Sequence, residues 1–229
     1  MSPTTTSRAA TLSAWTLEDY RAVFRLTDAE MSGRLLCVPG GAHSFTAQVR
    51  ARGGHAVAVD PAYATGLQRL AIDALTGAER DHQRNLTQAP SARKPNPDDA
   101  AQQRRAMLGA AHRFVSDRVR HPEDYLAGAL PRLPIRTGSV DLVLSAHLLF
   151  VHPERLDLTF HRVSIRELLR VCRGQVRIHP IVDARGRPYP VLDELRGELR
   201  RAGVRSWLAE TDGRIFDHGD HTLVLTRKS

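Results

Sequence analysis

Gly40, Gly41 and Asp60 are the residues whose types and spacing first suggest chemistry. Arg34 to Phe45 reads Arg-Leu-Leu-Cys-Val-Pro-Gly-Gly-Ala-His-Ser-Phe, an apolar strand that breaks into a glycine turn. His55 to Asp60 reads His-Ala-Val-Ala-Val-Asp, a second apolar strand closing on an acid 19 residues after Gly41. Glycines let a backbone approach a ligand closely, and a carboxylate at the end of the second strand can bind two ribose hydroxyls. The same acid can also serve as a helix N-cap. The turn lacks a full G-x-G-x-x-G, and the phosphate-loop pattern with its lysine is absent, which argues against nucleotide triphosphates. A metal reading of His218-x-x-His221, with Asp217 and Asp220 beside it, is disfavoured. A polar hairpin tip carrying Gly213 and Gly219 offers little fixed geometry for ligands, so no metal site is expected.

The elements that position the turn and the acid follow from pattern. Thr16-Leu-Glu-Asp19 and Thr27-Asp-Ala-Glu30 are capping-box signatures, the first opening a helix through Phe24. Strands are expected at 35–38, 56–59, 125–130, 140–144, 175–182, 204–209 and 222–226, the last two as an antiparallel hairpin. Helices are expected at 44–52, near 66–75, from Asp98 or Asp99 to about Arg118, and at 160–171 and 191–202. Between Gly77 and Asp99 the apolar pattern dissolves around Pro90, Pro95 and Pro97, which predicts a mobile linker or lid. The resulting crossover is far longer than usual and marks an insertion, 77–119. Alternating strands and helices with a terminal hairpin imply an α/β fold. The expected division is a disordered tail at 1–13, an N-terminal helical cap at 14–32, and one α/β domain at 33–227.

The chain has 229 residues, enough for one well-buried domain. Cys37 and Cys172 sit in apolar patterns and build no disulfide framework, so a reducing cytoplasm is the natural location. No apolar run approaches the roughly 20 residues needed to span a bilayer. The net charge of +8 invites a nucleic-acid reading, but of 33 basic residues only Lys94 and Lys228 are lysine, and few aromatics lie between the scattered arginines to stack bases. A nucleic-acid partner is therefore disfavoured.

Three stretches together resemble the class I S-adenosylmethionine-dependent methyltransferase family. They are the glycine turn with Asp60, the run Leu130-Pro-Arg-Leu-Pro-Ile135 leading to Gly138-Ser-Val-Asp-Leu-Val-Leu-Ser145, and Arg166-Glu-Leu-Leu-Arg-Val171. The resemblance spans about Gly33 to Arg227. It implies a Rossmann-like, seven-stranded, mostly parallel sheet with an antiparallel C-terminal strand and helices on both faces. S-adenosylmethionine would lie across the carboxyl ends of the first strands. Gly40, Gly41 and Ala42 would line its methionine part. Asp60, with Pro61 beside it, would bind its ribose. Gly128, Ala129 and Leu130 would flank its adenine, and Ser145, Ala146 and His147 would lie under its sulfonium.

In that frame His147 is the candidate proton acceptor, or else a histidine packed at a strand edge. His43 would contact the methionine carboxylate or be a turn residue. The ring of Tyr20 or Trp15 would face the sulfonium, or pack as a staple. Asp183, Arg185 and Arg187 would bind an anionic acceptor or be solvated loop charges. The sequence departs from the family where Cys37 replaces the usual first-strand acid and Val140 the usual aromatic. A small-molecule methyltransferase is the leading reading. Azetidine-2-carboxylate synthases, similar in length and layout, point to an alternative in which the γ-carbon of the cofactor is attacked, by its own amine to give azetidine-2-carboxylate or by an acceptor in aminocarboxypropyl transfer, with release of methylthioadenosine. A non-catalytic cofactor-binding module is the third reading. Acceptor identity and oligomeric state are not encoded in these motifs.

Overall fold

The structure, a computed structural model, describes residues 12–88, 96–211 and 221–227. Its strands are β1 (Arg34–Cys37), β2 (His55–Val59), β3 (Tyr125–Leu126), β4 (Val140–Ala146), β5 (Cys172–His179), β6 (Val204–Glu210) and β7 (His221–Arg227). They form one sheet in the order β3-β2-β1-β4-β5-β7-β6. β1 runs parallel to both β2 and β4, and β7 inserts antiparallel between β5 and β6. The chain therefore winds outward from β1 to β3 and restarts at β4 on the other side. The crevice at the carboxyl ends of β1 and β4 is the topological switch point, where doubly wound sheets bind ligands. This is the Rossmann-like, mostly parallel seven-stranded sheet with an antiparallel C-terminal strand that the sequence implied.

Alternation along β1 shows how the sheet is sandwiched. Leu36 and Val38 face a core shared with α6 (Leu158–Val171) and α7 (Leu192–Arg201). Leu35 and Cys37 face the opposite core, built with α1 (Leu17–Phe24) and α3 (Phe45–Arg50). Both predicted capping boxes form. Thr16 and Asp19 cap α1 reciprocally, and Thr27 and Glu30 cap the short α2 (Asp28–Met31).

Glu30 has a second partner. Arg177 on β5 is 8% exposed and donates to the Phe24 carbonyl at 2.7 Å and to the Glu30 carboxylate. Burial raises the Glu30 carboxyl, but the Thr27 amide and the Arg177 guanidinium outweigh it, so the group sits below the usual glutamate value. A carboxylate depressed in the folded state contributes stability above its unfolded pKa and loses it as pH falls through the folded one. Glu30→Gln is expected to cost about 1.5–3 kcal/mol at neutral pH, the worth of hydrogen bonds to charged groups. The difference from the parent should vanish in acid. Denaturant unfolding at the two pH values checks this, and an equal cost at both would rule the ion pair out.

Three expectations need correction. The segment from Gly77 is not a loop up to Gln88, because α4 runs unbroken over Leu67–Gln88. It packs along α5 (Pro97–Arg120) through Leu70, Ala74 and Ala78 against Met107, Ala111 and Phe114, with Arg104 bonded to Glu79. Burial on α4 continues through Asp81 and His82, polar side chains that hid the helical stripe. Residues 89–95 lie outside the described residues, as do 1–11 and the hairpin tip with Asp217, His218 and Asp220. Leu12 and Ser13 do not belong to a loose tail: Leu12 is 3% exposed and Ser13 bonds to the glycine turn. β3 ends at Leu126 and not at Leu130, because the chain turns at 129–132, where Ala129 pairs with Arg132 and the Arg132 amide donates to the Ala129 carbonyl at 3.1 Å. No described helix is long and apolar enough to cross a membrane.

Candidate functional site

The glycine turn and Asp60 meet as their spacing predicted. Asp60 leaves β2 beside the turn that leaves β1. Its Oδ2 accepts from the Gly41 amide at 3.0 Å and its Oδ1 from the Ala62 amide at 2.9 Å. Asp60 thus performs the capping role, for the 3-10 turn Pro61–Ala64, while fixing the glycine turn. Each carboxylate oxygen keeps a further lone pair, so two ribose hydroxyls can still be accepted. Burial raises its pKa, against the two amides that lower it. Tyr63, one turn on, donates its hydroxyl to the Gly41 carbonyl at 2.7 Å. A Cβ on Gly40 would run into that Tyr63 hydroxyl, so glycine is required there. Gly41 is held at a φ of 53°, a conformation glycine adopts without strain. Sequence reasoning missed Tyr63; its place three residues after the acid is the only signal that pointed to it.

Gly128, half-buried, and Ala129, exposed, follow β3 on the far side of Asp60, with Leu130 buried beneath them. Ser145 and Ala146 end β4 and are 1% exposed. His147 follows at a φ of 55°, its amide donating to the His179 carbonyl at 2.8 Å. A non-glycine residue in this region costs energy, and such residues cluster at functional sites. Burial lowers the His147 pKa, and His179, His43, Arg84 and His152 add to the effect, so the imidazole is neutral at physiological pH.

His43 is neither exposed nor loosely held. Its ring is 4% exposed, with Nδ1 2.5 Å from the Tyr20 hydroxyl and Nε2 3.0 Å from Ser13 Oγ. Burial pushes its pKa down to about 3, so it is a neutral imidazole and not a cation for a carboxylate. Tyr20 lies on α1 and is wholly buried, stacked on Phe45 at 4.3 Å. Of the two readings given for Tyr20, facing the sulfonium or packing as a staple, the first is therefore corrected: the ring packs inside and reaches the site only through His43. The aromatic at the site is Trp15, which precedes α1. Its indole stacks on His43, centroids 5.9 Å apart, and meets the His147 ring edge-on at 4.4 Å. Cys37 is buried beside the Tyr20 hydroxyl, and burial pushes its thiol well up, so it supplies no anion where the family has its acid.

A cavity of about 410 Å³ opens at the same edge of the sheet, lined by Val151, His152 and Glu154 after β4 and by the Asp183–Arg187 loop after β5. Asp183 is committed to its own loop, accepting the Arg185 and Arg187 amides at 2.8 and 2.9 Å and the Arg187 side chain at 2.7 Å. The Arg185 side chain is exposed at the mouth.

No family model matches the chain. It is 22% identical over 212 residues to the uncharacterized protein MJ0045 of Methanocaldococcus jannaschii, covering 91% of this chain and 92% of that one. Among solved structures it is similar to a TehB-like SAM-dependent methyltransferase from Corynebacterium glutamicum, at 14% identity and a TM-score of 0.47, over 93% of this chain and 85% of that one. It is also similar to the Burkholderia thailandensis 1,6-didemethyltoxoflavin-N1-methyltransferase with bound 1,6-didemethyltoxoflavin and S-adenosylhomocysteine, at 17% identity and a TM-score of 0.43, over 93% and 84%.

Proposed function

We propose that the protein is an S-adenosylmethionine-dependent methyltransferase acting on a small-molecule acceptor. The observation that carries this reading is the Gly41 amide to Asp60 carboxylate bond at the switch point of a sheet ordered 3-2-1-4-5-7-6. It joins the two elements that a nucleoside cofactor needs, a close-approach backbone turn and a ribose-binding acid. The fit extends to Gly40, where a side chain would fill the turn. When bound, S-adenosylmethionine supplies an electrophilic methyl on its sulfonium. The chain's own task is alignment and exclusion of water. Asp60 holds the ribose, Gly128 and Ala129 flank the adenine, and His147 is placed to accept a proton from the acceptor.

The cavity at Val151 to Glu154 and Asp183 to Arg187 supports a metabolite-sized acceptor, since small-molecule pockets are commonly about 300–1,000 Å³. Its charges suit an acceptor with an anionic group facing Arg185. Much of the basic surface is tied up internally, as with Arg50, Arg104, Arg162, Arg170, Arg177 and Arg187. That supports keeping nucleic acid out of the reading.

Two measurements test it. In calorimetry, Asp60→Ala is expected to weaken S-adenosylhomocysteine binding by about 2–3 kcal/mol, as for lost charge-assisted hydrogen bonds. Unchanged affinity would remove Asp60 from the ribose site. Incubation with S-adenosylmethionine and an acceptor panel should yield S-adenosylhomocysteine only when an acceptor is present. Methylthioadenosine formed without an acceptor would replace methyl transfer by attack on the γ-carbon.

A further inference from the structure

We propose that residues 12–15 are a latch that occupies the methionine end of the cofactor's place and must leave before S-adenosylmethionine binds; this rests on the cofactor reading above. The latch lies on the glycine turn through backbone bonds. The Ser13 carbonyl accepts from the Ala42 amide at 2.8 Å, and the Trp15 carbonyl accepts from the Ser44 amide at 2.9 Å and from Ser44 Oγ at 3.3 Å. These turn amides are the donors a ligand carboxylate would use at this place. Ser13 Oγ engages His43, and the Trp15 indole fills the space between the His43 and His147 rings. The latch therefore spans from the turn after β1 to the residue after β4, the line along which methionine and sulfonium would lie. It leaves the Asp60 carboxylate to its two amides, so the ribose end stays as it is.

The latch has its own seat. Leu12 packs in the α4–α5 cluster, and Gly77 on α4 lets its backbone come close: a Cβ there would run into the Leu12 carbonyl. Glycine in a helix interior is less favourable than alanine, so Gly77 is a local loss that admits the latch. Closed and cofactor-bound states then compete. The apparent dissociation constant is the intrinsic one divided by the open fraction.

Gly77→Ala tests this without touching the turn, Asp60 or His147, and alanine favours the helix it sits in. In a Trp207→Phe background, where Trp15 is the only tryptophan, emission reports the latch. The parent should bind S-adenosylhomocysteine with Trp15 emission moving toward that of an indole in water. The Gly77→Ala protein should start there and bind several-fold tighter. Leu12→Ala, which unpins the latch at its apolar end, should move both readouts the same way and stands in if Gly77→Ala does not fold. Binding by the parent with Trp15 emission unchanged would overturn the latch and leave the cofactor reading standing. Opened variants that bind no tighter would also overturn it. Absence of binding by parent and opened variants alike would overturn the cofactor reading, and the latch with it.

Discussion

His147→Asn is expected to lower turnover about 10²–10⁴-fold, the usual worth of a general base, while leaving S-adenosylhomocysteine affinity nearly unchanged. Asparagine is the informative replacement because position 147 sits at a φ of 55°. Asn tolerates the left-handed region, whereas Ala would add backbone strain of about 1–2 kcal/mol and confound the result. The pH profile separates a base from a positioning ring. Burial, with a smaller effect of the His179 and His43 rings, lowers the His147 pKa, so the neutral, proton-accepting form persists below the ordinary imidazole range. Turnover in the parent should hold as pH falls through the ordinary histidine value and drop only further down. In His147→Asn that acid limb should disappear along with the activity. A loss confined to cofactor affinity, or unchanged turnover, would leave alignment alone as the contribution of this strand end.

The parts of the site that could be read from the sequence are those whose chemistry leaves a local mark. Parallel strands covered on both faces read as short apolar runs, which is why β1, β2 and β4 and the turns after them were legible. Thr16 with Asp19 and Thr27 with Glu30 carry their caps in four residues each. The latch leaves no such mark, because Ser13 and Trp15 bind the turn through carbonyls that every residue owns. Gly77 looks like a helix breaker until the Leu12 carbonyl is seen beside it. The second half of α4 was missed because its buried face continues through Ala78, Asp81 and His82. Small and polar residues give no hydrophobic period: Ala78 packs in the α4–α5 cluster, and Asp81 pairs with Arg84 on its own helix. His43 shows the same limit in the site itself: its turn position was legible, but its neutrality follows from enclosure by Tyr20, Trp15 and Ser13.

Asp117→Ala is expected to be the costliest change away from the site, at about 3–5 kcal/mol, the range for breaking a buried ion pair. Asp117 lies on α5 with its side chain 11% exposed. Both its oxygens accept from Arg50 Nη1 on α3, at 2.6 and 2.8 Å, and Oδ2 also accepts from the Tyr125 hydroxyl at 2.6 Å. Arg50 reaches on to Asp124 with its other nitrogen. Three elements therefore converge on one carboxylate: α3 after the glycine turn, α5 of the long crossover, and the outer strand β3. Removing it strands the Tyr125 hydroxyl and leaves Arg50 with one acid in place of two. Tyr125→Phe deletes a single bond and should cost only about 1–1.5 kcal/mol. Denaturant unfolding measures both, and a cost below about 1 kcal/mol for Asp117→Ala would show that apolar packing alone holds α5. Hydrogen exchange adds the functional consequence. α5 supports α4, and α4 carries Gly77, the seat of Leu12. Loosening α5 should therefore lower amide protection first along α5 and α4, and then at Ala42 and Ser44, whose amides the latch holds. Loss at α5 with Ala42 and Ser44 still protected would mean that the latch is held by the turn and Trp15 alone, and not from the crossover helices.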